Sequence, residues 1–249
     1  MSSSRLIGVG VGPGDPELVT VKGVNALRAA DVVVVPVMAA SDGTPGGERG
    51  RAEATVLHYA PEEKVVRVVF ALNERSDRAR REAAWDAAGA KVAELLRAHD
   101  VVAFATIGDP NVYSTFTYLA QTVAGLVPGL VVETVPGITA MQDLAARSGA
   151  VLTEGTEPLT LVPVTAGSAV LKEALKGPGT VVAYKFGRLA EEVATALRET
   201  GRTEGAVWGS ALGLEEESIR PASELLDGPL PYLSTLIAPA SRDSRGGKL

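Results

Sequence analysis

Two glycine-rich segments constrain the fold of this chain, GVGVGPGD at residues 8–15 and IGDPNVYS at residues 107–114. Each follows a short run of apolar, β-branched residues and precedes a segment with helical periodicity. A strand, a tight turn and a helix in that order are typical of a parallel α/β sheet, where ligands bind beyond the carboxyl ends of the strands. A third segment, VPGITA at residues 135–140, has the same form. We therefore expect turns on neighbouring strands to build one shared crevice.

Strands and helices alternate along the chain, which predicts an α/β fold whose first sheet is parallel with right-handed crossovers. The segment GLVPG at residues 125–129 is the expected boundary between a first domain (1–126) and a second domain (127–239), and a solvated tail is expected over 240–249. The expected strands cover residues 6–11, 32–36, 64–70, 101–106, 130–134, 159–164, 180–184, 205–210 and 232–238. The expected helices cover residues 20–30, 76–98, 112–124, 140–147, 168–176, 189–200 and 222–226, and a long mobile loop is expected over 39–50.

Composition excludes several classes of protein. The 249 residues are 46% hydrophobic and 22% charged, which is enough apolar content for a substantial core. Cysteine is absent, which excludes disulfides, thiolate nucleophiles and cysteine-bound zinc. A net charge of -6 argues against a broad nucleic-acid-binding face. No export signal is evident, and the apolar run at 32–37 is too short to cross a bilayer, so we expect a soluble, cytoplasmic protein without nucleic-acid or membrane partners.

The first glycine-rich segment lacks the spacing of a dinucleotide-binding turn. In the G-x-G-x-x-G frame that begins at Gly8 the last glycine is replaced by Pro13, and in the frame that begins at Gly10 it is replaced by Asp15. Pro13 has no backbone donor for a phosphate, and an unpaired Asp15 would repel one. The segment therefore favours an uncharged or cationic ligand; the alternative is a tight strand exit that binds no ligand.

The second segment carries a carboxylate at a fixed position. Pro110 holds the preceding Asp109 in an extended conformation just after a strand. There the carboxylate could accept hydrogen bonds from a ribose or an amino group. The alternative is an Asx-type turn that caps a helix beginning near Asn111, and the two roles are compatible.

The three segments resemble the tetrapyrrole methylase family, the class III S-adenosylmethionine-dependent methyltransferases, in their order and spacing. The resemblance covers the chain apart from its tail. Residues 109–116, 154–155 and 161–163 (DPNVYSTF, EG and LVP) are most similar to the branch that methylates a meso carbon in cobalamin biosynthesis. The resemblance implies a parallel N-terminal sheet, a mixed C-terminal sheet and a cofactor cleft between two α/β domains, usually in a homodimer. The implied reaction is methyl transfer to C(20) of precorrin-2 or cobalt-factor II.

The resemblance also implies which residues contact the cofactor. The sequence departs from the family pattern at residues 71–77, ALNERSD, where a Pro-Met-Thr-x-Asp segment is expected beside the substrate. Carried over by position, the cofactor contacts are Pro13, Ile107, Gly108, Asp109, Val112, Tyr113, Thr139, Ala140, Lys185 and Ala211.

Methyl transfer from a sulfonium needs alignment more than it needs a catalytic group. Holding the methyl group and its acceptor in line supplies roughly 7–11 kcal/mol of the barrier. We assign no catalytic residue and no metal site, and we expect His58 and His99 to be solvated or capping residues. The residues expected to contact substrate are Arg49, Arg51, Arg75 and Ser114. Arginine matches the geometry of the substrate's carboxylates, and Arg49 with Arg51 could form a lid; the alternative is that they are solvated surface charges.

Other functions remain open at this point. The chain could be another member of the family, such as a different precorrin methylase, a uroporphyrinogen methylase, a ribosomal RNA ribose methylase or diphthine synthase. The stretch YSTF at 113–116 and the acidic balance argue against the last three. A regulator that binds S-adenosylmethionine without turnover is a second class. A nicotinamide-dependent oxidoreductase is a third class, which the glycine spacing disfavours.

Overall fold

The first sheet contains five parallel strands in the order β3-β2-β4-β1-β5. Its central strands β2 and β4 are apolar along most of their length and are buried, because helices cover both faces of the sheet. The computed structural model describes residues 4–40, 44–70, 78–165, 167–225, 230–231 and 233–242. The strands are β1 (Arg5–Gly10), β2 (Val32–Val37), β3 (Val65–Val69), β4 (Val101–Thr106) and β5 (Val131–Val135).

Helices α1 (Val21–Ala29) and α2 (Arg51–Val56) share one hydrophobic cluster with the sheet, and α3 (Arg78–Ala98) and α4 (Phe116–Leu126) share another. The α1 residue Leu27 packs with Val9 of β1, whereas Phe116 of α4 packs with Leu6 of the same strand. Side chains of successive strand residues point to opposite faces. The helices that follow β1 and β4 therefore cover opposite faces, although these two strands are neighbours. That is a topological switch point, where α/β sheets bind ligands.

The second sheet is mixed, in the order β6-β7-β10-β8-β9. β6 runs parallel to β7, and the other neighbouring pairs are antiparallel. Helices α6 and α7 pack on one face and α5 on the other. The strands are β6 (Leu159–Pro163), β7 (Thr180–Tyr184), β8 (Val207–Ser210), β9 (Ser218–Pro221) and β10 (Thr235–Ala238), and the helices are α5 (Ala140–Ser148), α6 (Ala169–Leu175) and α7 (Ala190–Glu199).

Arg202 connects the end of α6, the start of β7 and the end of β10. Its guanidinium donates hydrogen bonds of 2.8–3.2 Å to five backbone carbonyls, and burial lowers its pKa. Among the described residues no carboxylate pairs with this guanidinium, and carbonyl dipoles stabilise its charge. The five acceptors are the carbonyl oxygens of Leu175, Gly177, Gly179, Ala238 and Pro239.

The boundary between the two units lies later in the chain than the sequence predicts. The chain divides into Met1–Thr139 and Ala140–Leu249 rather than after residue 126. The reason is that β5 pairs with β1 and completes the first sheet, so the proline-containing turn before it lies inside the first unit. The expected tail is also shorter, because Ala240 is buried and Arg242 pairs with Glu157 at 2.5 Å. Residues 243–249 lie outside the described part of the chain.

Several elements differ from the sequence prediction. Instead of the helix expected over 222–226, the described residues form only a short 3-10 helix, Ala222–Glu224. Helix α2 lies just after the segment expected to be a loop, and β9 was not expected. Helix α4 begins at Phe116 instead of residue 112, because residues 109–115 continue the turn after β4. Among the described residues, no helix is both long and apolar enough to cross a membrane.

Candidate functional site

The three predicted turns converge at the carboxyl edge of the first sheet. Gly12 and Gly108 form an isolated β-bridge, in which the Gly108 N–H donates a 2.7 Å hydrogen bond to the Gly12 carbonyl. Gly12 has φ of 78° and Gly108 has φ of 71°, a left-handed conformation that glycine adopts without steric cost. The first two turns are therefore joined directly through their backbones, beyond the switch point of β1 and β4.

The third turn packs against the first two through glycine backbones. A Cβ atom on Gly10 would lie 2.5 Å from the Gly108 carbonyl oxygen and 2.6 Å from the Gly137 nitrogen. A Cβ atom on Gly137 would overlap the same carbonyl. Gly10 and Gly137 thus have no room for a side chain, and both pack against the carbonyl group of Gly108. On its other side Gly108 borders open space: among the residues that the structure describes, an added Cβ would meet only Cα of Thr139, at 4.0 Å.

Asp109 fixes the second turn to the third. Its Oδ1 accepts a 2.8 Å hydrogen bond from the Asn111 N–H, which is the Asx-type turn considered from the sequence. Its Oδ2 accepts a 3.0 Å hydrogen bond from the Gly137 N–H, a contact that sequence analysis did not foresee. The carboxylate therefore has a structural role in bringing the turns together, and it adds a negative charge beside them.

The remaining predicted contacts of the first unit surround these turns. Pro13 and Thr139 are buried, and Ile107 and Val112 are half-buried. Tyr113 is 42% exposed and left-handed, with φ of 51°. Burial of part of its ring raises the pKa of the Tyr113 phenol.

Ser114 lies close to the end of β4. Its Oγ is 3.1 Å from the Thr106 hydroxyl and accepts a 3.1 Å hydrogen bond from the Phe116 N–H. The side chain therefore helps to begin α4, whether or not it also contacts substrate.

In the second unit, Lys185 and Ala211 lie at the carboxyl ends of β7 and β8, which flank β10. The two strands run in the same direction, and Thr235 of β10 pairs with both, so the two residues lie at the same edge of the sheet. The Ser234 carbonyl at this edge accepts a 3.2 Å hydrogen bond from the Lys185 N–H. Ser234 carried no sequence signal; only the sheet register places it there.

Backbone strain marks three of the predicted contacts. Within the described ranges, the non-glycine residues with positive φ are Tyr113, Lys185 at 61° and Ala211 at 52°. All three were assigned to the cofactor from the resemblance. Left-handed conformations are unfavourable for residues with a Cβ atom and are concentrated at functional sites, which supports the assignment.

Two of the predicted substrate arginines, Arg49 and Arg51, lie in the described part of the chain. Arg49 is exposed, 3.6 Å from Glu62. Arg51 begins α2, and its carbonyl accepts a 3.2 Å hydrogen bond from the Thr55 hydroxyl. Arg75 and the departing segment 71–77 lie outside the described residues.

The loop before α2 is attached to the sheet at residues 44–50. Arg67 forms a 2.7 Å ion pair with the buried Glu53 and also donates to the Gly46 carbonyl, while the Gly50 N–H donates to Glu53. These bonds restrain the part of the expected mobile loop that the structure describes. No group of three metal-ligating side chains occurs in the described ranges.

Backbone-lined turns at a switch point, with the left-handed Tyr113 following one of them, are typical of small-molecule sites in α/β enzymes. A profile of the Tetrapyrrole (Corrin/Porphyrin) Methylases matches residues 5–225, and the chain belongs to that family. It is 33% identical over 242 residues to precorrin-2 C(20)-methyltransferase of a Sinorhizobium species, covering 96% of each chain. It is 31% identical over 239 residues to cobalt-precorrin-2 C(20)-methyltransferase of Salmonella typhimurium, covering 94% of this chain and 96% of the relative.

Solved structures share the fold. Cobalt precorrin-4 methyltransferase superposes with a TM-score of 0.68 at 22% identity, over 94% of both chains. Uroporphyrin-III C-methyltransferase of Thermus thermophilus, complexed with S-adenosyl homocysteine, superposes with a TM-score of 0.67 at 22% identity, over 94% of this chain and 97% of that one. At this identity the likeness establishes the fold alone.

Proposed function

We propose that this protein transfers a methyl group from S-adenosylmethionine to the meso carbon C(20) of precorrin-2, or of cobalt-factor II, in cobalamin biosynthesis. The observation that carries the proposal is the convergence of the three glycine-rich turns, together with relatives of that activity that match nearly the whole chain. The turns suit the donor because they present a narrow backbone surface and negative charge to a cationic ligand.

The proposed donor contacts are the ten residues carried over from the family pattern. In the second unit they are Ala140, Lys185 and Ala211. In the first unit they lie in the three turns: Pro13, Ile107, Gly108, Asp109, Val112, Tyr113 and Thr139. The open space beside Gly108 and Thr139 gives a ligand room to approach the backbone closely. The left-handed residues support this proposal because such conformations are unfavourable and are concentrated at functional sites.

The chemistry requires alignment and exclusion of water. When bound, S-adenosylmethionine supplies a methyl group that its sulfonium charge already activates. The transfer forms a carbon–carbon bond to the meso carbon, breaks the sulfur–methyl bond and releases S-adenosylhomocysteine, and the meso carbon then loses a proton. The chain's part is to hold the reactants in line, and we assign no residue as the proton acceptor.

The proposed contacts to the tetrapyrrole are Arg49, Arg51, Arg75 and Ser114. Guanidinium groups suit the many carboxylates of such a substrate. Neutral replacement of Arg49 and Arg51 together should raise the KM for the tetrapyrrole without changing that for the donor. Unchanged kinetics would reject the proposed lid.

The deciding experiment is to incubate the purified protein with S-adenosylmethionine carrying a 13C-methyl group and with each tetrapyrrole in turn. NMR then locates the new methyl group. A methyl group at C(20) supports the proposal, and methylation elsewhere identifies another activity of the family. Tight binding of the donor without turnover on any tetrapyrrole would indicate a regulator instead.

We also propose a homodimer, which the family resemblance implies. The edge strand β5 supports it, because its first four residues are exposed and include Val131 and Val132, with Leu126 exposed nearby in sequence. Light scattering should then give twice the chain mass of 25.7 kDa. The cytoplasmic location stays a prediction, which fractionation of the producing cell would test.

A further inference from the structure

A chain of polar contacts in the second unit joins α5 to the loop after β8. Asp143 is 5% exposed, and its Oδ1 accepts a 2.7 Å hydrogen bond from Nε of Arg147. Nη1 of Arg147 lies 3.2 Å from Oε2 of Glu217. That oxygen accepts a 2.7 Å hydrogen bond from the Gly213 N–H. The contacts therefore begin on a helix and end on the loop backbone, two residues beyond Ala211.

The loop needs this support because its conformation is not a relaxed one. Ala211 is left-handed, with φ of 52°, and Gly213 has φ of 74°. Alanine avoids that region because its Cβ approaches the following carbonyl. Leu212, between them, is 4% exposed and belongs to the same hydrophobic cluster as Leu144 of α5. One helix thus holds the loop through both an apolar and a charged contact.

The same helix is attached to the end of β7. The Tyr184 hydroxyl accepts a 3.0 Å hydrogen bond from the Met141 N–H, in the first turn of α5. Tyr184 immediately precedes Lys185, and Ala140 is the first residue of the helix. Helix α5 therefore connects the surroundings of all three donor contacts proposed in the second unit.

Asp143 has a feature that packing alone does not explain. Its Oδ2 is buried and accepts no hydrogen bond from the described residues. Burying a carboxylate with an unpaired oxygen is unfavourable, and an apolar side chain of similar size would fill the position better. A carboxylate does, however, orient the Arg147 guanidinium toward Glu217, which an apolar side chain cannot do.

We infer that Asp143, Arg147 and Glu217 are positioning residues for binding of the methyl donor. Together they hold residues 211–217 in the conformation that presents Ala211 to the donor. The inference rests on the proposed function, because it takes Ala211 as a donor contact. The inference predicts different effects on the two substrates. Loss of the contacts of Glu217 weakens binding of the donor and leaves binding of the tetrapyrrole unchanged.

The test compares Glu217→Ala with the control Glu216→Ala, which removes an exposed carboxylate from the same loop. Calorimetry with S-adenosylhomocysteine should show about 10-fold weaker binding for Glu217→Ala, because a charged hydrogen bond to the loop is lost. The control should bind as the wild type does. Glu217→Gln keeps an oxygen for the Gly213 N–H but loses the attraction to Arg147, so its affinity should fall by about 3-fold.

Kinetics provide the second measurement. The KM for S-adenosylmethionine should rise in Glu217→Ala while the KM for precorrin-2 stays at the wild-type value. Equal affinity of Glu217→Ala and the wild type for S-adenosylhomocysteine overturns the inference. If circular dichroism shows that Glu217→Ala is unfolded, the same comparison is made with Glu217→Gln, and unchanged affinity there overturns it.

The two proposals fail in different ways. A wild-type protein that binds S-adenosylhomocysteine but methylates no tetrapyrrole contradicts the proposed reaction, while the calorimetric comparison still tests the positioning residues. A wild-type protein that does not bind S-adenosylhomocysteine contradicts both.

Discussion

The carboxyl edges of the two sheets are built by different means. In the first unit, Gly10, Gly108 and Gly137 bring backbones into direct contact, and the left-handed conformation of Gly108 is free of strain. In the second unit, Lys185 and Ala211 are left-handed despite their side chains. There the conformation is held from a distance, by hydrogen bonds and packing from α5. The close contact at the first edge requires glycines without side chains, whereas the left-handed residues at the second edge are held by the side chains of their neighbours.

This difference predicts which substitutions each edge tolerates. A close contact between backbones cannot absorb an added methyl group, because neither partner has a rotamer to move. A left-handed residue held by neighbours can lose its Cβ without any clash. Substitutions between glycine and alanine should therefore have opposite consequences at the two edges.

The largest effect is expected for Gly137→Ala. The new Cβ would overlap the Gly108 carbonyl and lie 2.8 Å from the Gly10 carbonyl carbon, so the turns must separate. We expect a loss of about 3 kcal/mol in unfolding free energy, as for severe overpacking, and no binding of S-adenosylhomocysteine. Denaturant unfolding measures the first and calorimetry the second.

The matched control is Gly125→Ala, where nothing lies within 4 Å of an added Cβ. Gly125 lies in α4, so alanine should leave the stability unchanged or raise it by up to about 1 kcal/mol. Equal stability of the two variants would contradict the close contact between the turns.

Arg202→Met should have the next largest effect, because it tests the dependence of the second unit on a side chain. Five carbonyl groups lose their charged donor, which should lower the unfolding free energy by about 2 kcal/mol. Hydrogen exchange should increase in the second unit alone. Arg198→Met is the control, since that exposed arginine bonds only within its own helix, to Thr195, among the contacts described. Faster exchange confined to the first unit would contradict the comparison.

Asp109→Ala should have a smaller effect, because it breaks a connection between turns without introducing a clash. The N–H groups of Asn111 and Gly137 lose their acceptor, which should reduce donor binding by about 1.5 kcal/mol, or roughly 10-fold. Asp109→Asn retains one carbonyl oxygen and should bind with intermediate affinity. Calorimetry on the wild type and the two variants checks the order of their affinities. Wild-type affinity in Asp109→Ala would show that Asp109 does not contribute to donor binding.

The smallest effect is expected for Ala211→Gly. Relief of the left-handed strain, about 1 kcal/mol, is largely offset by the greater entropy of glycine in the unfolded chain. The unfolding temperature should therefore stay the same or rise slightly. Ala194→Gly, inside α7, is the same change without the strain and should lower the stability by about 1 kcal/mol. A similar loss in both variants would show that Ala211 is not strained.

Regular elements with strong local signals could be predicted from the sequence. The strands at 101–106 and 180–184 have the expected bounds. The helix expected over 20–30 begins where Thr20 caps α1 by accepting a hydrogen bond from the Gly23 N–H. Helix α2 could not be predicted, because its six residues depend on tertiary contacts such as the ion pair of Glu53 with Arg67. Strand β9, with Ser218, Arg220 and Pro221, has too little apolar character to be recognised.

The candidate site was predictable only in part, because the two edges are built by different means. Glycine and proline are rare inside strands and common in turns, so the turns of the first unit could be recognised from the sequence. Lys185 and Ala211 came only from the family resemblance, because no residue type reveals a conformation imposed by its neighbours. The contact of Arg147 with Glu217 joins residues 70 positions apart and leaves no local pattern.

The carbonyl partners of Arg202 have a consequence for behaviour in acid. Ion pairs such as that of Arg242 with Glu157 weaken when the carboxylate takes up a proton. Peptide carbonyls do not titrate in that range, and a guanidinium stays charged. The contacts of Arg202 with the ends of β7 and β10 should thus persist at a pH where the attachment of the tail through Arg242 has been lost.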